Sequence, residues 1–508
     1  MSYATHDWRA SLPFYQSQLF HDVQLAGLFA DSKTFADATP TAPWNNIIEA
    51  YEYQKKQNTF NLLAFIEQHF DLPESISLSD KTAKESVKAY IDNMWQVLTK
   101  QPDPPGVCSL IPLKRPYIVP GGRFREIYYW DSYFTALGLM QSAHQQRVRD
   151  MLENFLDIQQ TVGLIPNGNR AYYHTRSQPP ILSLMGELVA SVDNDPQLTS
   201  RCLHGMELEY QFWMQGHEQL SIESPSHRRV VRMNDGTILN RFFDDDDSPR
   251  PESYREDIEA AAALPPAERA QFYRDLRAAC ESGWDFSSRW LDDPEKLHSI
   301  RTTQIVPIDL NSLMYLLEKR LASGFANIYP NKAKYYAQCA VKRKKAINHY
   351  MWDNKDGIYR DYHLAQQDQT KVASAATAVP LFVGLSSAGQ AKAVAIKIEQ
   401  QFLKAGGIVT TLQHSEQQWD SPNGWAPLQW FAVKGLLDYG HTKLAKRIMQ
   451  NWLRCVENYF TTHHTMLEKY NVCELSATAK GGEYEVQFGF GWTNGVSRQF
   501  YHLLQQLT

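Results

Sequence analysis

Apolar residues along this chain recur mostly at three- and four-residue spacing. Val148, Leu152, Phe155 and Gln159 follow it, and Met151 and Leu156 widen the stripe. Leu444, Ile448, Trp452, Val456 and Phe460 repeat the pattern towards the other end. Such stripes predict amphipathic helices with one face on a core. The spacing predicts helix pairs over about 131–143 with 145–161, 181–192 with 196–215, 371–384 with 387–404, and 427–439 with 441–460. Gly384, Ser386 and Ser387 punctuate the third pair and Gly440 the fourth. Helix, short turn and antiparallel helix, repeated without an internal sequence repeat, predicts an all-α assembly of hairpins and not a solenoid. Pro265–Arg277 is expected to be an exposed helix, and Lys342–Lys345 a solvated helix face. Residues 1–45 read as an arm packed on a single domain that spans 46–508.

Between the helix pairs the pattern breaks into stretches rich in Gly, Pro, Trp, Asp and Arg. They are Pro120–Asp131, Pro166–Pro180, Phe242–Asp257, Gln417–Pro427 and Gly481–Gly495. Ionisable and aromatic loops on a helical scaffold are where function is expected. Composition narrows the options. A net charge of −5 offers no basic surface for nucleic acid or an acidic membrane. No apolar run approaches the ~18 residues that span a bilayer. The polar start, Met1–Ser11, lacks a secretory core, and the six cysteines are scattered without a C-x-x-C pair, so a reducing cytoplasm is expected. Thirteen Trp and 26 Tyr are mostly core, yet compatible with rings that stack on a sugar.

Metal and cofactor chemistry find no motif. There is no H-E-x-x-H, His463 and His464 are adjacent, and the tetrad Asp244–Asp247 reads as a solvated loop. Walker, G-x-G-x-x-G and G-x-S-x-G patterns are missing. What remains is a set of loop carboxylates (Glu126, Asp131, Asp285, Asp420, Glu468, Glu483) and loop arginines (Arg123, Arg125, Arg176, Arg250, Arg289). Acetal hydrolysis needs such a set. One carboxylic acid protonates the leaving oxygen, and one carboxylate activates water or attacks the anomeric carbon. Arg supplies five fixed donors for a neutral polyol. The residue types alone do not say which carboxylates act.

Two long strings carry a resemblance. Pro120–Gly–Gly–Arg123–Phe–Arg–Glu126–Ile–Tyr–Tyr–Trp130–Asp131–Ser–Tyr133 and Gln418–Trp419–Asp420–Ser–Pro422–Asn423–Gly424–Trp425–Ala–Pro427 resemble, without a gap, two signatures of the trehalases. Asp31–Ser–Lys–Thr–Phe, Asn167–Gly–Asn169–Arg170, Arg176–Ser–Gln178, Arg250–Pro–Glu252, Gly283–Trp284–Asp285, Glu468–Lys–Tyr470 and Phe490–Gly–Trp492–Thr493–Asn494–Gly495 extend it over about residues 20–505. The resemblance implies an (α/α)6 toroid and a metal-independent, inverting hydrolysis of α,α-trehalose. It places Asp285 as general acid and Glu468 as general base. Arg123, Trp130, Asp131, Asn167, Arg176, Arg250, Glu252 and Gly283 are expected to hold the two glucose rings. Glu483 is expected on a closing loop, with Trp419 and Trp425 as walls. No cofactor is expected, and the partner is the disaccharide alone, met by a monomer.

Two departures stand out. Ala479–Lys480–Gly481–Gly482 replaces a longer glycine run of the family, and Phe488 stands where an acidic residue is common. Burial beside Trp284 is expected to raise the pKa of Asp285, while arginines keep Glu468 ionised. Pairing with Asp131 and Glu252 is expected to hold the arginines. The alternatives are a related exo-acting α-glucosidase, a non-catalytic trehalose sensor and a hydrolase of a phosphorylated sugar.

Overall fold

The protein is described here by a computed structural model, which covers residues 7–74, 86–103, 108–479 and 481–507. Met1–His6 of the polar start and Lys480 of the 479–488 loop lie outside the described residues. Twelve helices build the body: α1 Val87–Val97, α2 Tyr129–Leu139, α3 Gln146–Val162, α4 Leu182–Ala190, α5 Pro196–Trp213, α6 Ile308–Phe325, α7 Pro330–Tyr350, α8 Val379–Phe382, α9 Ala388–Lys397, α10 Ala426–Asp438, α11 Thr442–His463 and α12 Gly491–Gln506. Even-numbered helices form an inner ring in which α6 meets α8, α8 meets α10, α10 meets α12, α12 meets α2 and α2 meets α4. Arg320 of α6 closes the remaining gap by donating to Ser183 and Glu187 of α4. Odd-numbered helices lie outside. The fold is an (α/α)6 toroid.

The hydrophobic pattern explains the two layers. Every residue of α2 is buried, and α10 is buried from Ala426 to Val433, because an inner helix has neighbours all round. The outer α3 and α11 bury only a stripe, which includes Val148, Leu152 and Phe155 in one and Leu444, Ile448, Trp452, Val456 and Phe460 in the other. Where α12 crosses α2 the backbones touch. A Cβ on Gly138 would lie 2.6 Å from Gly495 Cα, so glycine on both sides permits the contact.

The expected helix ends agree within two residues for α3 and α10. Between 371 and 384 only Ala375–Phe382 is helical, as a 3-10 turn running into α8. Ser374 is instead bridged to Thr411, and that pairing holds the preceding backbone extended. The helix expected to be exposed over Pro265–Arg277 runs from Pro266 to Ser282, and its second half, from Phe272 onward, is buried except Arg274. Lys342 and Lys345 are exposed, but Arg343 between them is buried against Glu318. The tetrad is solvated at Asp245 and Asp247, which are exposed, but not at Asp244. Asp244 is buried between Arg176 and Arg277, while Asp245, Asp246 and Asp247 face Arg228, Arg277 and Arg274.

The N-terminal segment is bound by aromatic packing and by charge. Phe14 packs against Phe20, Phe35, Trp44 and Phe70 with ring centres 4.5–5.7 Å apart. The fully buried Lys33 ammonium reaches Asp37 at 2.5 Å and Glu126 at 2.6 Å.

Candidate active site

One cavity sits at the end of the ring where the inner helices begin. Trp130 and Asp131 occupy the first turn of α2, Trp425 caps α10, Phe490 caps α12, and Gln178 lies just before α4. The positive ends of these helices therefore surround a cluster of carboxylates. All eleven residues expected at the site line this cavity: Asp285, Glu468, Arg123, Trp130, Asp131, Asn167, Arg176, Arg250, Glu252, Gly283 and Glu483.

Gly283 ends the helix Pro266–Ser282 in the left-handed region at φ +76. A side chain there would meet the Trp130 indole at 2.8 Å. That turn carries Asp285 to the cavity. Glu468 is presented differently: its neighbours Lys469–Asn471 form a strand antiparallel to Asn423–Trp425. Trp492 Nε1 fixes the Glu468 carbonyl at 2.8 Å. Both carboxylate oxygens of Glu468 are buried and accept no hydrogen bond from a described residue. The buried Lys469 ammonium stands 3.5 Å from one of them.

Each cavity arginine has carboxylate neighbours, but not all those expected. Arg176 bonds Glu252 and reaches Asp244 at 3.4 Å, and its Nε donates to Asn167 at 3.1 Å. Arg250 bonds Asp257 and reaches Glu483 at 3.0 Å. Arg123 pairs with Asp31 of the N-terminal arm at 2.7 Å. Asp131 pairs with none of them, contrary to expectation. Burial therefore pushes its carboxyl up to about 8, with the charges of Asp285 and Glu468 adding to the rise. Glu252 stays below the usual range, since Arg176 and Arg250 outweigh its burial.

Burial likewise raises Asp285 to about 6, with Arg250 and Arg176 opposing it. Glu468 was expected to stay low, and that expectation is corrected. Burial raises it to about 7, with Lys469, Arg123 and the Gln487 backbone opposing the rise without cancelling it.

The walls are aromatic. Trp425 and Trp419 stack at 3.9 Å and 2°, Trp284 stacks on Trp419 at 5.4 Å, and Trp492 meets Trp425 edge-on at 5.7 Å. Loop 481–488 lies over the cavity. Glu483 bonds Arg250, Tyr484 faces the Arg123 guanidinium at 4.6 Å, and Gln487 accepts the Arg123 backbone N–H at 2.7 Å. The sequence reading left Tyr128, Tyr173, Gln178, Tyr484 and Trp492 unassigned, although they too line the cavity. Tyr128, Gln178 and Trp492 lie within the strings that carried the resemblance, and Tyr484 follows Glu483. Cys280 also lines it, and a single cysteine in a helix gave no signal.

The other loop candidates are elsewhere. Glu126 is sealed beside Lys33 and Arg170. Arg289 is locked to Asp309 and Asp361. Asp420 accepts from Ser287, Ser288, Thr411 and Ser415, and Arg125 donates to the Glu74 carbonyl.

A toroid with carboxylates and tryptophans at its mouth defines a glycoside hydrolase. The chain belongs to the trehalase family, whose profile matches residues 27–505, and its enzyme class is α,α-trehalase. It is 45% identical to the periplasmic trehalase of Citrobacter koseri over 96% of this chain and 85% of that one. A periplasmic trehalase of Escherichia coli is 45% identical over 96% and 86%. The neutral trehalase of Saccharomyces cerevisiae superposes with a TM-score of 0.63 at 27% identity, covering 76% of this chain and 73% of that one. A mannosylglycerate hydrolase from Thermus thermophilus shares the fold at 18% identity and TM-score 0.55, over 82% of this chain and all of that one. The expected cytoplasmic location is corrected by these names, which point to the periplasm. Scattered cysteines carry no word on compartment, since a core this large needs no cross-links.

Proposed function

We propose that this enzyme hydrolyses α,α-trehalose to two glucose molecules by a single displacement that inverts the attacked carbon. Protonated Asp285 donates to the oxygen that bridges the two anomeric carbons. Ionised Glu468 takes a proton from the attacking water, and that water's oxygen forms the new C–O bond as the bridging bond breaks. The observation that carries this reading is the state of Glu468: a buried carboxylate whose oxygens have no donor among the described residues, kept beside one ammonium. A carboxylate so placed is ready to accept from water. Arg123, Arg176, Arg250, Asn167, Glu252, Asp131 and Glu483 bind sugar hydroxyls, Trp130 and Gly283 shape the floor, and Trp419 and Trp425 back it.

Proton NMR of the anomeric signals tests the mechanism. Equal α- and β-glucose in the first minutes is the expected result. α-Glucose alone means retention and ends the single-displacement reading. Asp285→Asn and Glu468→Gln should each lower kcat by about three orders of magnitude or more while Tm stays within a few degrees. Near-normal kcat in either would remove that residue from its role.

A further inference from the structure

The sequence string Asp31–Ser–Lys–Thr–Phe has no part in the chemistry above, yet its side chains reach the site loops. Ser32 Oγ donates to Glu256 at 2.7 Å, four residues after Glu252. Lys33 enters the buried cluster with Glu126, which accepts from the cavity residue Tyr128. Asp31 goes furthest. Its Oδ2 accepts from Arg123 Nε at 2.9 Å and its Oδ1 from Arg123 Nη2 at 2.7 Å. The two residues are 92 positions apart in the chain.

We propose that Asp31 is a positioning residue of the active site, and that the N-terminal arm thereby completes the sugar-binding surface. A two-point carboxylate fork fixes both the place and the plane of a guanidinium. Nη2 also donates to the Glu252 carbonyl at 3.3 Å, and the Tyr484 ring covers the guanidinium face at 4.6 Å. Nη1 is left with no acceptor among the described residues, on an arginine that lines the cavity. Arginine has many rotamers, and an unrestrained side chain would lose that freedom at each binding event. Asp31 removes that loss in advance. Its own position is set by the arm: Oδ1 also accepts the Lys33 backbone N–H at 2.9 Å, at the start of the helix Lys33–Ala36.

The alternative is a staple that merely fastens the arm. A staple, when cut, lowers Tm and leaves the KM of the folded enzyme alone. The inference rests on the reading of Arg123 as a sugar-holding residue, and a double-mutant cycle on trehalose hydrolysis separates the two. Asp31→Asn should raise KM several-fold and lower kcat/KM about tenfold or more. Asp31→Glu, which keeps the charge, should recover part of the loss. In an Arg123→Gln background, Asp31→Asn should add less than a twofold further loss, since its only route to the sugar is gone. Kinetics of Asp31→Asn within twofold of the unaltered enzyme, or its full loss repeated on top of Arg123→Gln, would overturn the proposal. Arg123→Gln with undiminished kcat/KM would overturn the reading of Arg123 first, and the proposal with it. If Asp31→Asn does not fold, Asp31→Glu alone and with Arg123→Gln carries the same cycle.

Discussion

Five carboxyl groups line one cavity, and three of them, Asp131, Asp285 and Glu468, form no ion pair with its arginines and cannot all be ionised cheaply. Asp285 and Glu468, at about 6 and about 7, titrate as a pair, so the apparent values belong to both. The form with one proton between them peaks between those values. kcat/KM should therefore follow a bell with its maximum at about pH 6–7, and the form with the proton on Asp285 is the minority of the two. A flat profile from pH 5 to 8 would exclude the pair as the acid and base. Asp131 acts on stability. Its folded value of about 8 exceeds the unfolded value of about 4, so the native state holds the extra proton and stability falls as pH rises between them. Asp131→Asn removes the penalty. It should raise Tm more at pH 8 than at pH 5, and an equal shift at both would contradict the assignment. The residues that line the cavity were legible because Gly, Trp and Asp occur there in long matched strings. Their partners were not: Arg123 with Asp31 and Arg250 with Asp257 are pairings of folded chain segments, and spacing does not report them.

At the scale of elements, the site is made of endings. Asp285 reaches the cavity through a turn that stops the helix Pro266–Ser282, and Gly283 is required there twice, for its positive φ and for the Trp130 ring. Gly283→Ala should cost about 1–3 kcal/mol of stability and lower kcat/KM at least tenfold, read by thermal melts and steady-state kinetics. Unchanged kinetics would mean that Trp130 can give way. Its mixed acidic and basic residues marked this helix as far as Arg277 but misjudged its exposure. Its polar residues Asp275, Arg277 and Glu281 look solvated in sequence, and each is in fact buried on a partner: Thr303, Asp244 and Arg229. Charged residues satisfied in pairs defeat a reading that equates charge with surface.

For the whole molecule, charge balance sets what can enter. Arg123, Arg176 and Arg250 are all engaged by carboxylates, and Asp131, Asp285 and Glu468 add further acid. The cavity favours neutral polyols over anions. Trehalose 6-phosphate should show a kcat/KM at least about a hundredfold below that of trehalose; parity would restore the phosphorylated-sugar alternative. The hairpins of the toroid were legible as local stripes. Its closure was not, because the seam between α2 and α12 joins residues more than 350 positions apart in the chain.

That seam bears on how the protein comes into being. A chain made from its N-terminus presents α2 to solvent early, before the partners that bury it on every side are all made. The helix that covers it is the last of the twelve to leave the ribosome. Until then the ring is an open arc, and Gly138 is without the Gly495 backbone it packs against. Trp492, which donates to the Glu468 carbonyl, sits in that final helix. Synthesis that stops between Lys469 and Phe490 therefore yields a chain that carries Asp285, Glu468 and Arg123, Arg176 and Arg250, but has neither a closed ring nor the Trp492 donor to Glu468.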